Sequence, residues 1–186
     1  RDRYMPSIMR DFPEFHYDEM KSRAENVLTS YLQSITKQNP ALLSEGTREL
    51  KEQLRLRLEM LQNQSQRESF ENIHIHRTEI HQYRKQKGRQ SIVLQTAVEY
   101  FHALKENGKV IRGSEEHKEQ AKYNVELVYI QDQDMIENQE DAGLGLNCPN
   151  CGAPLPGLGA KKCIYCDTPI VEYNLRVWNF SRVEEV

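Results

Sequence analysis

Four cysteines near the C-terminus are the residues of this sequence best suited to chemistry. They are Cys148, Cys151, Cys163 and Cys166, spaced C-x2-C-x11-C-x2-C, and the chain has no other cysteine. Each C-x-x-C pair can form a tight knuckle that presents two sulfurs to one ion, and two knuckles complete a tetrahedral site. The spacing therefore predicts a zinc ribbon that holds one zinc ion per chain through all four cysteines.

Two other arrangements of these cysteines are open. A secreted chain could join them in two disulfides, and a single C-x-x-C could be a redox pair. The redox interpretation leaves the second pair redundant. The local sequence favours zinc, because Gly152 lets the first knuckle turn and Asp167, at the glycine position of the second, tolerates a left-handed backbone. Four thiolates leave no coordination position for water, so the predicted zinc is structural.

Length and composition bound the rest of the protein. The chain has 186 residues, of which 38% are hydrophobic and 28% charged, which suits one globular core with a small appendage. The net charge of -3 gives no attraction to nucleic acid. Around the cysteines the basic residues are Lys161 and Lys162, with Asp167 and Glu172 near them in sequence, so a nucleic-acid-binding ribbon is the weaker interpretation.

The sequence contains no apolar run long enough to cross a bilayer and no signal peptide. It begins at Arg1 and not at a methionine, so we expect the intact protein to carry an upstream segment. A membrane anchor in that segment would hold the domain on the cytoplasmic side, where a reducing environment keeps the thiols available for zinc.

Helical periodicity marks the first third of the chain. Apolar residues at three- and four-residue steps predict a helix from about Asp18 to just before Asn39. Pro40 suits the first turn of a short second helix, and a further stripe predicts a helix that begins near Thr47. The apolar stripes are Met20, Ala24, Val27, Tyr31 and Ile35 in the first helix, and Leu50, Leu54, Leu58 and Leu61 in the last.

After the polar stretch at 63–68 the period changes to two, which predicts strands. A turn at 85–88 and a hairpin at Asn107-Gly108 separate them. The predicted strands lie around residues 73–75, 92–104, 123–129 and 173–177.

Helices followed by alternating strands predict an α+β fold, with the N-terminal helices packed on a four-stranded antiparallel meander. The domain would span residues 12–186. The zinc ribbon, residues 144–172, would be inserted in it before the last strand. Such an insertion can be folded by its own metal without disturbing the parent core.

This organisation resembles a known family. Helices come first, long antiparallel strands follow, and the motif CPNCGAPL…CIYCDT precedes an aromatic final strand at 174–180. Together they resemble bacterial proteins with a domain similar to subunit 44 of the mitochondrial translocase of the inner membrane, which belongs to the cone-shaped folds similar to nuclear transport factor 2. The resemblance implies a non-enzymatic, membrane-associated binding or scaffold module that recruits a protein or peptide partner, as in protein transport.

The resemblance also implies an apolar pocket between the long helix and the concave sheet. Its lining in this sequence would include Tyr31, Ile35, Tyr100, Tyr129 and Trp178. Ordinary core packing is the alternative for each of them, because aromatic residues at strand spacing usually point inward. The sheet would also offer a surface for a homodimer.

An enzyme is the main alternative function. Folds of this shape host isomerases and dehydratases that use a buried acid and a tyrosine in the same pocket. Glu99, Tyr100, His102 and Glu126 could supply such groups. However, Glu99 and His102 fall on opposite faces of a regular strand, which argues against their acting together.

Two histidines give a last candidate site. His74 and His76 share a strand face and, with His102, could bind a second metal. The alternative is a solvated sheet face that carries two histidines, and the sequence favours it.

Overall fold

Three helices precede an antiparallel sheet in the computed structural model, which describes residues 3–86, 88–130, 151, 153, 162–167 and 178–186. The predicted α+β class is confirmed. The helices are α1 (Met5–Asp11), α2 (Tyr17–Lys37) and α3 (Arg48–Asn63), with a 3-10 turn at Pro40–Leu42. The strands are β1 (Gln66–Gln86), β2 (Arg89–Glu106), β3 (Lys109–Gly113), β4 (Glu119–Ile130) and β5 (Trp178–Glu185).

The long helix α2 packs its apolar stripe against the sheet. It ends where Gln38 adopts a left-handed backbone, with φ of 55°, and donates its N–H to the last turn. Its predicted bounds are confirmed to within a residue or two. The buried residues of the stripe are Met20, Ala24, Val27, Leu28, Tyr31, Leu32 and Ile35.

The helix α3 begins at a side-chain cap. Thr47 Oγ1 accepts a hydrogen bond of 3.2 Å from the backbone N–H of Leu50, which satisfies one of the free donors of the first turn. Leu50, Leu54 and Leu61 are buried, and Leu58 packs against them while half-buried. The predicted apolar face of this helix is therefore confirmed.

The central strand of the sheet is β2. Among the described residues the strand order is β1-β2-β4-β5, and β3 pairs with the far end of β2, beyond β4. The predicted hairpin is confirmed, since Asn107 and Gly108 have φ of 52° and 80°. That hairpin adds β3, so the described sheet has five strands where the sequence predicted four. The predicted last strand at 173–177 lies outside the described residues.

The two faces of β2 differ in what they contact. Leu94, Val98 and Tyr100 belong to the core beneath the helices, so the even-numbered side chains face inward. The odd-numbered side chains, Glu99 among them, lie on the outer face.

Groups at the start of α3 and along it hydrogen-bond to the outer edge of β5. The N–H of Thr47 donates to Phe180 O at 2.9 Å, and Gln53 contacts both backbone groups of Val183, donating to its O at 2.6 Å. An edge strand whose backbone groups are paired in this way is protected from pairing with another chain. The predicted homodimer through the sheet stays a prediction.

Replacing Gln53 should destabilise the fold. Gln53→Leu leaves the N–H and O of Val183 without their partner, so we expect the free energy of unfolding to fall by about 1 to 3 kcal/mol. Urea denaturation followed by circular dichroism measures it. Gln62→Leu, on the exposed side of the same helix, is the matched control. Equal stability of the two variants would contradict the edge-capping role.

Candidate functional site

Three of the four predicted zinc ligands lie together. The sulfur atoms of Cys151, Cys163 and Cys166 are within 4.8 Å of one another, whereas Cys148 lies outside the described residues. Cys151 Sγ and Cys163 Sγ are 3.7 Å apart. Sulfurs about 2.3 Å from a tetrahedral ion are about 3.8 Å from each other, whereas a disulfide bond is about 2.05 Å long. The described sulfurs fit a shared metal ion and not a disulfide between these two.

The backbone around Cys163 has the form of a metal knuckle. The N–H of Tyr165 points at Cys163 Sγ (3.4 Å), and the N–H of Asp167 donates to Cys163 O at 2.9 Å. Asp167 has φ of 60°, which confirms the left-handed backbone predicted at this position. Cys163 is fully buried, so an uncompensated thiolate there would be costly. These cysteines could therefore bind a metal ion.

The five predicted pocket residues do not form one lining. Tyr129 and Trp178 are register partners on β4 and β5, with ring centroids 5.3 Å apart. Tyr31, Ile35 and Tyr100 are buried in the core. Tyr31 accepts a hydrogen bond of 2.9 Å from a glutamine of α3.

Tyr100 lies at the opposite end of the sheet from Trp178. Its hydroxyl is 2.7 Å from that of Tyr123 on β4. At about 3.3 Å per residue, Tyr123 lies about 20 Å along the strand from Tyr129. Among the predicted pocket residues, only Tyr129 and Trp178 line the cleft described next.

A cleft of about 310 Å³ opens beside Trp178, and we call it the Trp178 cleft. Its walls are formed by the loop between α1 and α2, the first turn of α2, and the Tyr129–Trp178 pair. That volume is at the small end of the range found for ligand pockets in proteins. Its lining residues are Asp11, Phe12, Pro13, Glu14, Phe15, His16, Glu19, Met20, Tyr129 and Trp178.

Aromatic rings packed edge-to-face build the apolar wall of the cleft. The ring of Phe12 is 4.7 Å from that of Tyr129 and 4.9 Å from that of Trp178, and the ring of Phe15 is 5.6 Å from Trp178. The sequence reasoning missed Phe12 and Phe15. The sequence does indicate Phe15, because Phe15 and Met20 occupy the two positions of a hydrophobic staple at the start of α2.

The cleft lies where the cysteine-bearing segment leaves the sheet. The chain leaves β4 at Ile130 and re-enters at Trp178, so residues 131–177 start and end beside the Tyr129–Trp178 pair. Arg23 holds the start of β5 in place. Its guanidinium donates to Trp178 O at 3.1 Å and lies 5.3 Å from the ring of Phe180. Glu45 holds the other side of the guanidinium.

Asp11 is the one lining carboxylate with strong partners among the described residues. Lys85 Nζ lies 2.8 Å from it, and Tyr83 donates to it at 2.7 Å. The hydrogen bond from Lys85, followed by that from Tyr83, lowers the pKa of Asp11 to about 2. Asp11 therefore stays ionised and ties the cleft loop to the end of β1.

A buried polar cluster lies elsewhere in the core. Glu68, 7% exposed, accepts hydrogen bonds from the Arg57 guanidinium and from His102 Nε2, the latter at 2.7 Å. The other ring nitrogen of His102 is 3.3 Å from Glu119. Because carboxylates only accept hydrogen bonds, a doubly protonated His102 satisfies both of them. The cluster ties α3 and three strands together.

The pKa values in this cluster favour the charged pair. Burial lowers the pKa of His102, but the hydrogen bond and charge of Glu68, helped by Glu119, outweigh it and raise the pKa above its ordinary value. Burial raises the pKa of Glu68, but hydrogen bonds from His102 and Arg57 outweigh it and hold the pKa below its ordinary value. Neither Glu68 nor His102 lines the Trp178 cleft.

The residues considered for catalysis do not converge. Tyr100 and His102 face the helices, whereas Glu99 lies on the outer face, 3.7 Å from Lys118 Nζ. Glu126 shares that outer face. The inference that Glu99 and His102 point in opposite directions is confirmed.

The three histidines do not form a second metal site. The rings of His74 and His76 are 4.8 Å apart and exposed. His74 pairs with Glu99, which places it on the outer face of the sheet. His102 faces the core, so the metal hypothesis for these three residues is wrong, and the two exposed histidines match the alternative.

No protein-family model matches the chain, and no curated protein is significantly similar to it. Among the described residues, no helix combines the length and hydropathy needed to cross a bilayer.

The His102–Glu68 pair predicts a pH-dependent stability. A histidine whose pKa is raised by folding contributes fully below its unfolded pKa of about 6.5, and the contribution is lost as the pH rises through the folded pKa. We expect His102→Gln to lower the free energy of unfolding by about 2 kcal/mol near pH 6 and by less as the pH rises.

Urea denaturation between about pH 6 and about pH 10 measures this difference. His81→Gln, at an exposed position of β1, serves as the control and should change little. A difference between parent and His102→Gln that stays constant over the whole range would contradict the role of the charged pair.

Proposed function

We propose that this protein is a non-catalytic binding module that takes a segment of a partner polypeptide into the Trp178 cleft. The observation that carries the proposal is the cleft itself, with its aromatic wall of Phe12, Phe15, Tyr129 and Trp178. Buried aromatic anchors in a pocket are the usual centres of binding energy in protein interfaces. The cleft is also preformed, so a partner orders few residues of this chain on binding.

The chemistry of the lining supports binding over catalysis. A catalytic pocket brings an acid, a base or a nucleophile to one reacting atom. In the Trp178 cleft, Glu14, His16 and Glu19 are exposed at the rim, and Asp11 is engaged by Lys85. The titratable groups considered for catalysis lie on two faces of the sheet, away from this cleft.

A structural zinc ion completes the proposal. Cys148 would join Cys151, Cys163 and Cys166 as the fourth ligand, so that one zinc per chain is fully coordinated by thiolates. The 3.7 Å spacing of the described sulfurs supports this geometry. Zinc would fold the segment between β4 and β5, which begins and ends beside the cleft.

Kinship with the translocase subunit 44 family, with its cone-shaped fold, belongs to the same proposal. Its support is the order of elements, helices before an antiparallel sheet, and the cysteine motif that precedes β5. That kinship implies a membrane-associated role, which is part of the same proposal.

Peptides selected against the protein should bind at Trp178. We expect 12-residue phage-displayed peptides enriched on the folded protein to change the fluorescence of Trp178, the only tryptophan of the chain. His16→Phe would fill the cleft and weaken their affinity on the order of tenfold, which is about 1.4 kcal/mol. His16 makes no side-chain hydrogen bond as the cap of α2, so helix stability should be kept.

The matched control is His117→Phe, which adds the same ring at an exposed position between β3 and β4. It should leave peptide affinity unchanged. The proposal would be contradicted if no peptide is enriched, or if enriched peptides bind His16→Phe as tightly as the parent without affecting Trp178.

Metal analysis tests the zinc ribbon. We expect one zinc per chain by native mass spectrometry, and its loss in Cys163→Ser, because a hydroxyl does not replace a buried thiolate ligand. Asp167→Gly is the control, since glycine adopts the same φ of 60° without strain. Zinc retained in Cys163→Ser, or two disulfides and no zinc in the parent, would contradict the site.

A further inference from the structure

The described lining of the Trp178 cleft is acidic. It includes three carboxylates, Asp11, Glu14 and Glu19, and none of its described residues is a lysine or arginine. Asp11 is neutralised by Lys85 at 2.8 Å. Glu14 and Glu19 are exposed and form no ion pair with the described residues. Two carboxylates at the rim are therefore left to attract a ligand.

The positive end of the α2 helix dipole opposes this negative charge, but its effect is weaker. A helix N-terminus carries an effective charge of about +0.5 and favours anions. The first turn of α2 holds both Asp18 and Glu19, which contribute two full negative charges at that end. The carboxylates outweigh the helix dipole, so an anionic ligand is disfavoured at the cleft.

The aromatic wall of the cleft also suits a cation. A guanidinium or ammonium within about 6 Å of an aromatic ring is attracted by the negative ring face, most strongly by tryptophan. The fold already uses this contact next to the cleft, where Arg23 lies 5.3 Å from the ring of Phe180. The methylene stem of a long basic side chain can pack on Pro13 and Met20 while its charged end reaches the rim.

We propose that the Trp178 cleft selects an arginine or lysine side chain of the partner polypeptide, held between the aromatic wall and the carboxylates of Glu14 and Glu19. This inference rests on the proposed function, because it names the side chain that the binding module takes. A basic side chain meets both conditions of the lining, an apolar wall and a negative rim. A wholly apolar side chain packs on the aromatic wall but gains nothing from the two carboxylates, which stay hydrated.

The test uses one host peptide with a single variable position. Acetylated, amidated Gly-Ser-Leu-Xaa-Leu-Ser-Gly is synthesised with Xaa as arginine, lysine, norleucine or glutamate and titrated against the intact chain at low salt. The fluorescence of Trp178 reports binding. We expect the arginine and lysine peptides to bind on the order of fivefold tighter than the norleucine peptide, and the glutamate peptide most weakly.

Two double variants distinguish the effect of the rim carboxylates from the effect of the protein's overall charge. Glu14→Gln with Glu19→Gln should bring the affinity for the arginine peptide down to that for norleucine. Glu71→Gln with Glu116→Gln removes the same charge near the other end of β2, where Glu71 pairs with Phe101, and should keep the preference. Salt should reduce the preference in the parent, because exposed charges are screened.

The outcomes separate this inference from the proposed function. If the norleucine peptide binds as tightly as the arginine peptide, or the Glu14 and Glu19 changes have no effect, selection of a cation is overturned while binding in the cleft stands. If arginine amide alone binds as tightly as the arginine peptide, a polypeptide partner is overturned. If no peptide affects Trp178 and phage selection also fails, the proposed function falls.

Discussion

Without the pairing of β4 with β5, neither the last strand nor the cleft would form. β5 comes after residues 131–177, so its docking must overcome the entropy of closing that segment. Backbone hydrogen bonds to β4 offset part of that entropy cost. Contacts with the helices offset another part, because Thr47, Gln53 and Arg23 pair with the outer backbone groups of β5. The same pairing brings Tyr129 beside Trp178 and thereby forms the back wall of the cleft.

The chain between β4 and β5, which carries all four cysteines, needs little from the sheet. Residues 131–177 leave and re-enter at neighbouring strands, so the sheet needs only their two ends to be close. A metal site formed within the segment would fold it with its own binding free energy, which needs nothing from the core. The polar cluster of Glu68, His102 and Arg57 lies in the core and fixes α3 to the strands there. The described cysteines, the polar cluster of the core and the cleft are thus formed by different residues.

The sequence predicted the features that are local and missed those that join distant residues. The cysteine spacing, the stripes of α2 and α3 and the Asn107-Gly108 turn each depend on residues close in the chain, so spacing alone reveals them. Strand periodicity also placed Tyr100 and Trp178 on the inward face. It could not tell that they lie at opposite ends of the sheet, because periodicity gives the face of a residue and not its neighbours. Phe12 reaches Trp178 from the other end of the chain, and no local pattern predicts that contact.

A crystal structure of the protein bound to an arginine-containing peptide would show directly whether the Trp178 cleft is the binding site. We expect the guanidinium within about 6 Å of the Trp178 or Tyr129 ring, with the peptide covering Phe12 and approaching Glu19. We also expect an unchanged β4–β5 pairing, because the cleft is preformed. A peptide bound along β1, or on the outer face of the sheet beside His74, with the Trp178 cleft empty, would contradict binding in the cleft.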